Sequence, residues 1–350
     1  MKERELRRYM GMTVTDVYPE TGTQPPTHPE GRPMEEPGFG QLLERHRREL
    51  HVHCYRMLGS YTDAEDLVQE TFLRAWRSRD SHQPGSNLRA WLYRIATNAC
   101  TDVIRSRRRQ ASAAGSPAEV AWLEPYPDVL LDQIPDRGAN PETAAVARET
   151  IELAFITAIQ SLPPRQRAVL ALNAGLGWTA AETAAALETT PAAVNSALQR
   201  ARAVLRDRLP QDRSDWTATP LSAAEQDTLQ RFIDAHERGD AAAAKAMMCA
   251  DIIATMPPSP AVYRGREAMA PLMDIAFGPH GMGEWRLLPT AANRLPAAAS
   301  YLRRPGDTRF RAFKLDVLRV RGDQVAETTT FGSALFGAFG LPEVLPDTGS

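Results

Sequence analysis

Apolar residues recur at helical spacing through the first two thirds of the chain and alternate at strand spacing in its last third. Between Thr62 and Arg77, Leu67, Phe72, Leu73 and Trp76 define one buried side of a predicted helix. Thr62 or Asp63 is its expected cap, and Glu65 and Asp66 supply the negative charge that suits a helix N-terminus. From Ser86, another expected cap, to Gln110, the core face is Leu88, Trp91, Leu92, Ile95, Ala96 and Ala99. At Ser161–Arg167, Leu162 ends an apolar helix, Pro163 and Pro164 punctuate, and Arg165 and Arg167 open a further helix with charges suited to phosphates.

Thr179 to Leu205 predicts two helices joined by a tight turn. Ala181, Ala184, Ala185 and Leu187 give the first a small packable face, and the polar run Glu188-Thr189-Thr190 breaks it. Thr190 then caps a second helix with Pro191 at its first position, where the missing N–H costs nothing. Val194, Leu198, Ala201 and Leu205 form its apolar stripe. The opposite face carries Asn195, Ser196, Gln199, Arg200, Arg202 and Arg206, small polar groups first and arginines after. That order suits a helix reading base edges and then anchoring on phosphates.

Upstream, Asp63, Asp66, Gln69 and Glu70 leave an acidic patch fit for a basic partner, while Arg105, Arg107, Arg108 and Arg109 make the end of the next helix strongly cationic. Trp91 has the helical phase of a core residue. Capture of an unstacked base therefore falls to the polar loop Ser81–Asn87, with Asn98 and Asp102 as further candidates.

Composition changes this picture little. The net charge over 350 residues is −2, but six arginines oppose three acidic residues between Pro163 and Leu209, so the basic charge is local. Cys54, Cys100 and Cys249 are widely spaced, with no disulfide framework evident, and His51, His53 and Cys54 read as a buried cysteine with exposed histidines rather than a metal site. No cofactor is implied. Neither a membrane-spanning run nor a secretory leader pattern is present, so a cytoplasmic protein without membrane partners is expected.

Three segments carry the resemblance: the helix AEDLVQETFLRAW, the helix SNLRAWLYRIATN, and the block LPPRQRAVL…TTPAAVNSALQRAR. Together they resemble a bacterial sigma-70 family RNA polymerase sigma factor of the extracytoplasmic-function group, in the SigG-like subtype. The resemblance covers roughly Phe39 to Leu209. It implies a non-enzymatic factor whose partners are core RNA polymerase and promoter DNA. Region 2 would bind polymerase through Asp63, Glu65, Asp66, Gln69, Glu70 and Arg74. It would open the −10 element with Ser86, Asn87, Arg89, Arg94, Asn98, Asp102, Arg105, Arg107, Arg108 and Arg109. Region 4 would read the −35 element with Arg165, Thr179, Thr190, Ala192, Asn195, Ser196, Gln199, Arg200 and Arg202.

The expected organisation is multidomain. A disordered tail (1–37) precedes two all-α domains, region 2 (38–110) and region 4 (142–209), with linkers at 111–141 and 210–220. In the first linker Trp122, Leu123 and Leu130 are expected to dock on polymerase or on the sigma domains. From 221 to 345 the pattern reads as an α+β domain. Ser222 and Asp240 cap helices, strands follow at Asp251–Met256, Trp285–Thr290, Ala297–Arg303, Arg309–Val320 and Gln324–Phe331, and Arg321-Gly322-Asp323 is a hairpin turn. This order, with the segment Met256–Met269, resembles the SnoaL-like cone fold, which encloses an apolar pocket. Phe232, His236, Tyr263, Trp285 and Phe313 are its candidate lining for a small-molecule ligand. Of the acid-base candidates His236, Asp234, Asp251 and Asp316, none has a setting that assigns it a catalytic role. The apolar tail Phe331–Pro342 needs burial, and is expected to cap its own domain or else lie against a sigma domain. Two other classes stay open on the residues alone: a dimeric helix-turn-helix regulator with a ligand domain, and a SnoaL-like cyclase or isomerase.

Overall fold

The computed structural model describes residues 36–81, 87–114, 123–133, 151–208, 221–278 and 281–346. Two compact units make up the chain, Met1–Gln41 and Leu42–Ser350. Of the first, only the opening residues of helix α1 (Glu36–Glu44) are described, so Glu36 and Pro37 are helical where a disordered tail was expected.

The second unit begins with a three-helix layer, α2 (Arg47–Leu58), α3 (Tyr61–Arg77) and α4 (Leu88–Ala114). Gly59 ends α2 in the left-handed region (φ +74°), a conformation glycine reaches without strain. The cap of α3 is Ser60, whose Oγ accepts the Asp63 N–H at 3.1 Å, rather than Thr62 or Asp63. The buried stripe of α3 is also different: Ala64, Val68, Thr71 and Ala75 are covered, whereas Leu73 is 52% exposed. Small side chains win because α3 packs closely against α2. In α4 the Asn87 side chain accepts the Ala90 N–H, and the expected cap Ser86 lies outside the described residues. Leu92, Tyr93, Ala96, Thr97, Ala99, Cys100 and Ile104 are its buried residues, and Trp91 is half-buried.

After a one-turn helix α5 (Asp128–Leu131), α6 (Leu153–Ile159), α7 (Pro164–Leu176), α8 (Ala180–Ala186) and α9 (Pro191–Arg208) form a second helical cluster. Phe155, Ile159, Leu162, Val169, Leu170, Val194, Leu198 and Leu205 are its core. Thr183, Ala184 and Ala186 face inward on α8, so the expected inward positions Ala181 and Ala185 are in fact exposed.

The remaining chain is α+β. Helices α10 (Ala223–Glu237) and α11 (Ala241–Ala246) lead into strands β1 (Met248–Met256) and β2 (Ser259–Arg264). Helix α12 (Arg266–Phe277) and strands β3 (Glu284–Ala292), β4 (Leu295–Arg303), β5 (Arg311–Arg321) and β6 (Gln324–Gly332) follow. One six-stranded sheet runs β2-β1-β6-β5-β4-β3, with only the β1–β6 pair parallel. Capping boxes and caps form at Ser222 and Asp240 as expected, and β5–β6 turn at Gly322-Asp323. Strand β2 and helix α12 had no clear periodic signal. The tail forms a 3-10 turn over Ser333–Phe339 that buries Phe336 against Tyr301 and covers its own sheet.

Candidate nucleic-acid interface

Helix α9 places its chemistry by periodicity alone. With Val194, Leu198, Ala201 and Leu205 buried, Ala192, Asn195, Gln199, Arg200 and Arg202 are exposed and Ser196 is half-buried on the other side. Arg200 Nη1 donates to Ser196 Oγ at 2.7 Å, so the two act as one polar group. The Thr190 side chain caps α9 through the Ala193 N–H (3.2 Å). Thr179 caps α8 in a reciprocal box with Glu182, and the bonds from Thr179 hold the Glu182 carboxyl below the usual carboxylate range. Arg165 is exposed and donates to Thr189, beside the turn that precedes α9. Arg167, read from the sequence as a phosphate contact, is instead 2% exposed. Its guanidinium donates to the carbonyls of Met57 (2.6 Å), Gln160 (2.5 Å) and Leu162 (3.3 Å) and to Gln160 Oε1 (2.5 Å). It ties the second cluster to the first.

On the first cluster, Asn87, Asn98, Asp102, Arg105 and Arg109 are exposed, while Ser86 and the Arg108 side chain lie outside the described residues. Three other candidates are engaged within the protein. Arg89 bonds Glu49 at 3.0 Å and stacks over Tyr93 and Trp178. Arg94 pairs with Glu188 in the turn between α8 and α9, and Arg107 pairs with Asp63. On α3, Glu65, Asp66 and Gln69 are exposed, and Glu70 bonds Arg74 at 2.6 Å.

The histidines reverse an expectation. His51 is 9% and His53 0% exposed. His51 Nδ1 lies 3.0 Å from the Tyr126 hydroxyl and His53 Nε2 2.9 Å from Thr97 Oγ1. Burial lowers their pKa values to about 4 and about 3, with Arg47 and Arg56 adding to the effect, so both rings stay neutral. The three cysteines are free and buried, and no cluster of metal-ligating groups occurs among the described residues.

In the α+β domain a run of ring contacts links Phe232, His236, Phe277, Trp285 and Phe313. Tyr263 does not join it: it stands on β2, at the opposite edge of the sheet from β3. Asp316, 1% exposed, accepts from Lys314 (2.8 Å) and Thr330 (2.7 Å), and Lys314 lies over the Trp285 ring. Burial, with Lys314 nearby, lowers the His236 pKa to about 4. Asp234 bonds Gln230, and Asp251 pairs with Arg321 at the surface, away from this interior.

Two contacts were not anticipated. Trp178, 7% exposed, packs on Tyr93 with ring centroids 5.0 Å apart and joins the two helical clusters. The β3–β4 turn, Asn293-Arg294, reaches into the helical part of the protein. The signal for that turn was present, since Asn between two alternating runs tolerates the left-handed region, but what it would touch was not.

A helix-turn-helix with an exposed polar face, beside a helix whose end carries exposed arginines, has the features of a DNA-binding protein. Residues 42–110 match the family Sigma-70 region 2, and residues 152–205 match Sigma-70, region 4. The chain is 40% identical to the ECF RNA polymerase sigma factor SigG of Mycobacterium tuberculosis, covering 97% of this chain and 91% of that one. It is 32% identical to SigE of Mycolicibacterium smegmatis over 58% of this chain and 70% of that one. The crystal structure of the M. tuberculosis extracytoplasmic function sigma factor SigJ shares the fold, with a TM-score of 0.56 at 21% identity over 88% of this chain and all of that one. The chain belongs to the extracytoplasmic-function sigma factors of the sigma-70 family. It is a promoter-specific transcription initiation factor, and sigma factors bind core RNA polymerase and promoter DNA. No helix among the described residues is long and apolar enough to cross a membrane.

Proposed function

We propose that region 4, over residues 142–209, reads the −35 element with the exposed face of α9. Asn195 and the Ser196–Arg200 pair meet base edges, with Thr190, Ala192 and Gln199 beside them and Arg165, Thr179 and Arg202 on phosphates. The observation that carries this reading is the polar face of α9, free of protein cover directly opposite the buried Val194–Leu205 stripe. Asn195→Ala is expected to relax specificity at one base position, at a cost on the order of 1–3 kcal/mol. Arg202→Ala weakens binding to all sequences and lowers the salt slope by about one. Equal losses on every sequence for both variants, in binding titrations across salt, would refute the division of labour.

Region 2, over residues 38–110, contacts the −10 element through Asn87, Asn98, Asp102 and the arginines of α4. Arg89, Arg94 and Arg107 join only after leaving their partners Glu49, Glu188 and Asp63. Glu65, Asp66 and Gln69 on α3, flanked by Asp63, Glu70 and Arg74, face a basic surface of polymerase. Reversing charge at Glu65 and Asp66, both exposed, is expected to abolish holoenzyme formation at unchanged helicity. Undiminished co-purification with core enzyme removes that role from them.

The α+β domain, residues 221–345, regulates by contact with the helical regions rather than by turnover. A small-molecule ligand there would meet the Lys314–Asp316 pair and the ring of His236 between Phe232 and Phe277.

A further inference from the structure

At one end of the six-stranded sheet, the turn between β4 and β5 is bordered and lined by Arg303, Arg304, Arg309 and Arg311, with Asp307 the only acidic residue between them. The whole chain has a net charge of −2, so this density of cations is local. Arg304, Arg309 and Arg311 are exposed, and Arg286 on neighbouring β3 brings a further exposed guanidinium to the same end.

The turn is firmly built. The Asp307 N–H donates to the Arg304 carbonyl (2.9 Å), the Asp307 carboxylate accepts the Arg304 N–H (3.3 Å), and Gly306 takes φ +93°, a conformation that suits glycine. Behind it, the segment Glu343–Leu345 pairs with the start of β5. The Ala312 N–H donates to the Glu343 carbonyl (2.8 Å), the Leu345 N–H donates to the Phe310 carbonyl (3.0 Å), and Arg311 bridges Val344. The Phe310 ring lies beneath two guanidinium groups, with Arg303 at 4.7 Å and Arg286 at 5.8 Å from its centroid. Stacking of this kind orients the planar fork and leaves its edge N–H groups for an anion.

Two of these cations have acidic neighbours: Glu284 pairs with Arg303, and Glu237 lies 3.9 Å from Arg286. Arg304, Arg309 and Arg311 outnumber Asp307 and give the turn its net charge. Like charges crowded at an exposed turn repel one another, and an anionic partner removes that cost. Strand β4 is 9 residues long, so about 30 Å separates this turn from the Asn293-Arg294 turn that meets the helical part of the protein. The cations are on the end of the sheet remote from that contact.

The scale of the patch fits a duplex. Neighbouring strands lie about 4.8 Å apart, so arginines on β3, β4 and β5 cover about 10 Å, the length of about three base-pair steps at 3.4 Å each. Consecutive phosphates of one strand are thus within their compass, and the arginine fork matches phosphate oxygens. The chain also delivers the patch to DNA. Only 14 residues separate α9 from α10, a length that reaches at most about 50 Å, so the domain stays beside any DNA that region 4 holds.

We propose that the arginine turn between β4 and β5 is a second, sequence-independent DNA contact of this chain, gripping the sugar-phosphate backbone of the duplex upstream of the −35 element. The proposal rests on region 4 binding that element, which sets the duplex the domain can reach. Phosphate contacts of this kind add affinity and salt dependence without base preference.

The test uses the full-length chain with core RNA polymerase and a promoter that this holoenzyme transcribes. Two duplexes are compared, one ending at the upstream edge of the −35 element and one continuing about 30 base pairs, or about 100 Å, further upstream. Arg304→Ala with Arg309→Ala is expected to lower affinity for the longer duplex by on the order of tenfold and its salt slope by about two, one for each phosphate contact. Binding to the shorter duplex stays at the wild-type level. Arg304→Lys with Arg309→Lys keeps both charges and recovers most of the loss; a loss that lysine does not recover is one of packing and overturns the proposal. Wild-type binding of the longer duplex by the alanine variant also overturns it. So does an equal loss on both duplexes, which places these arginines on polymerase instead. Base preference on the shorter duplex, read with Asn195→Ala, scores the region 4 assignment separately, so failure of that reading and failure of this one are told apart.

Discussion

Arg167→Met is expected to cost about 1–3 kcal/mol of stability for each buried acceptor that finds no new donor. The guanidinium is 2% exposed and satisfies the carbonyls of Met57, Gln160 and Leu162 together with the Gln160 side chain. Methionine fills part of the volume but donates nothing, so each of those acceptors is left without its guanidinium donor. Arg167→Lys retains charge but not the planar fork that reaches several acceptors, and falls between the two. Urea unfolding followed by circular dichroism reads the loss. The salt dependence of DNA binding separates this account from the phosphate contact expected from sequence. A phosphate anchor lowers the salt slope by about one when removed, whereas a structural arginine leaves the slope of the folded fraction alone. A stable Arg167→Met protein with a reduced slope returns the residue to the DNA interface.

Acidification is expected to destabilise the protein well above the pH at which carboxylates titrate. His51, His53 and His236 have pKa values lowered by burial to about 4, about 3 and about 4. A group whose folded pKa is depressed stabilises the fold above its unfolded pKa and ceases to as pH falls toward the folded value. For these rings the window runs from about 6.5 downward, as the unfolded chain gains protons the native state refuses. At pH 5 each histidine has forfeited about 2 kcal/mol, at 1.36 kcal/mol per pKa unit. Asp128 works the other way. Burial raises its pKa to about 6, against the bonds from Arg294, so its stabilising contribution is full below the usual carboxylate range and disappears as pH rises through 6. It returns about 1.4 kcal/mol at pH 5, leaving a net loss on the order of 5 kcal/mol from pH 7.5. Denaturant titrations at pH 7.5, 6 and 5 measure it. Replacing His53 by Gln, which cannot titrate, should flatten the profile by about two fifths. A profile without slope between 7.5 and 5 means these rings are not held neutral.

Elements whose stabilising contacts are local are legible in the residue order. Helix α9 is legible because Val194, Leu198, Ala201 and Leu205 keep one phase for the whole helix, and Thr190-Pro191 marks its start within four residues. The capping boxes at Thr179 and Ser222 and the Gly322-Asp323 turn are equally short-range devices. The family resemblance followed from such local strings. Where both faces of a helix carry apolar groups, packing against its neighbours selects the one that turns inward. On α3, close approach to α2 selected Ala64, Val68, Thr71 and Ala75 and left Leu73 outside. Packing likewise decided the fate of polar side chains, because an arginine or histidine has the same sequence appearance beside phosphate, in water or in a core. Arg167 bonds a carbonyl 110 positions away, and Asn293 meets Tyr55 across 238. No periodicity spans such separations. Burial and hydrogen-bond satisfaction act on neighbours in space, so the contacts between the helical clusters and the hairpin turn that reaches them emerged only once the chain was folded.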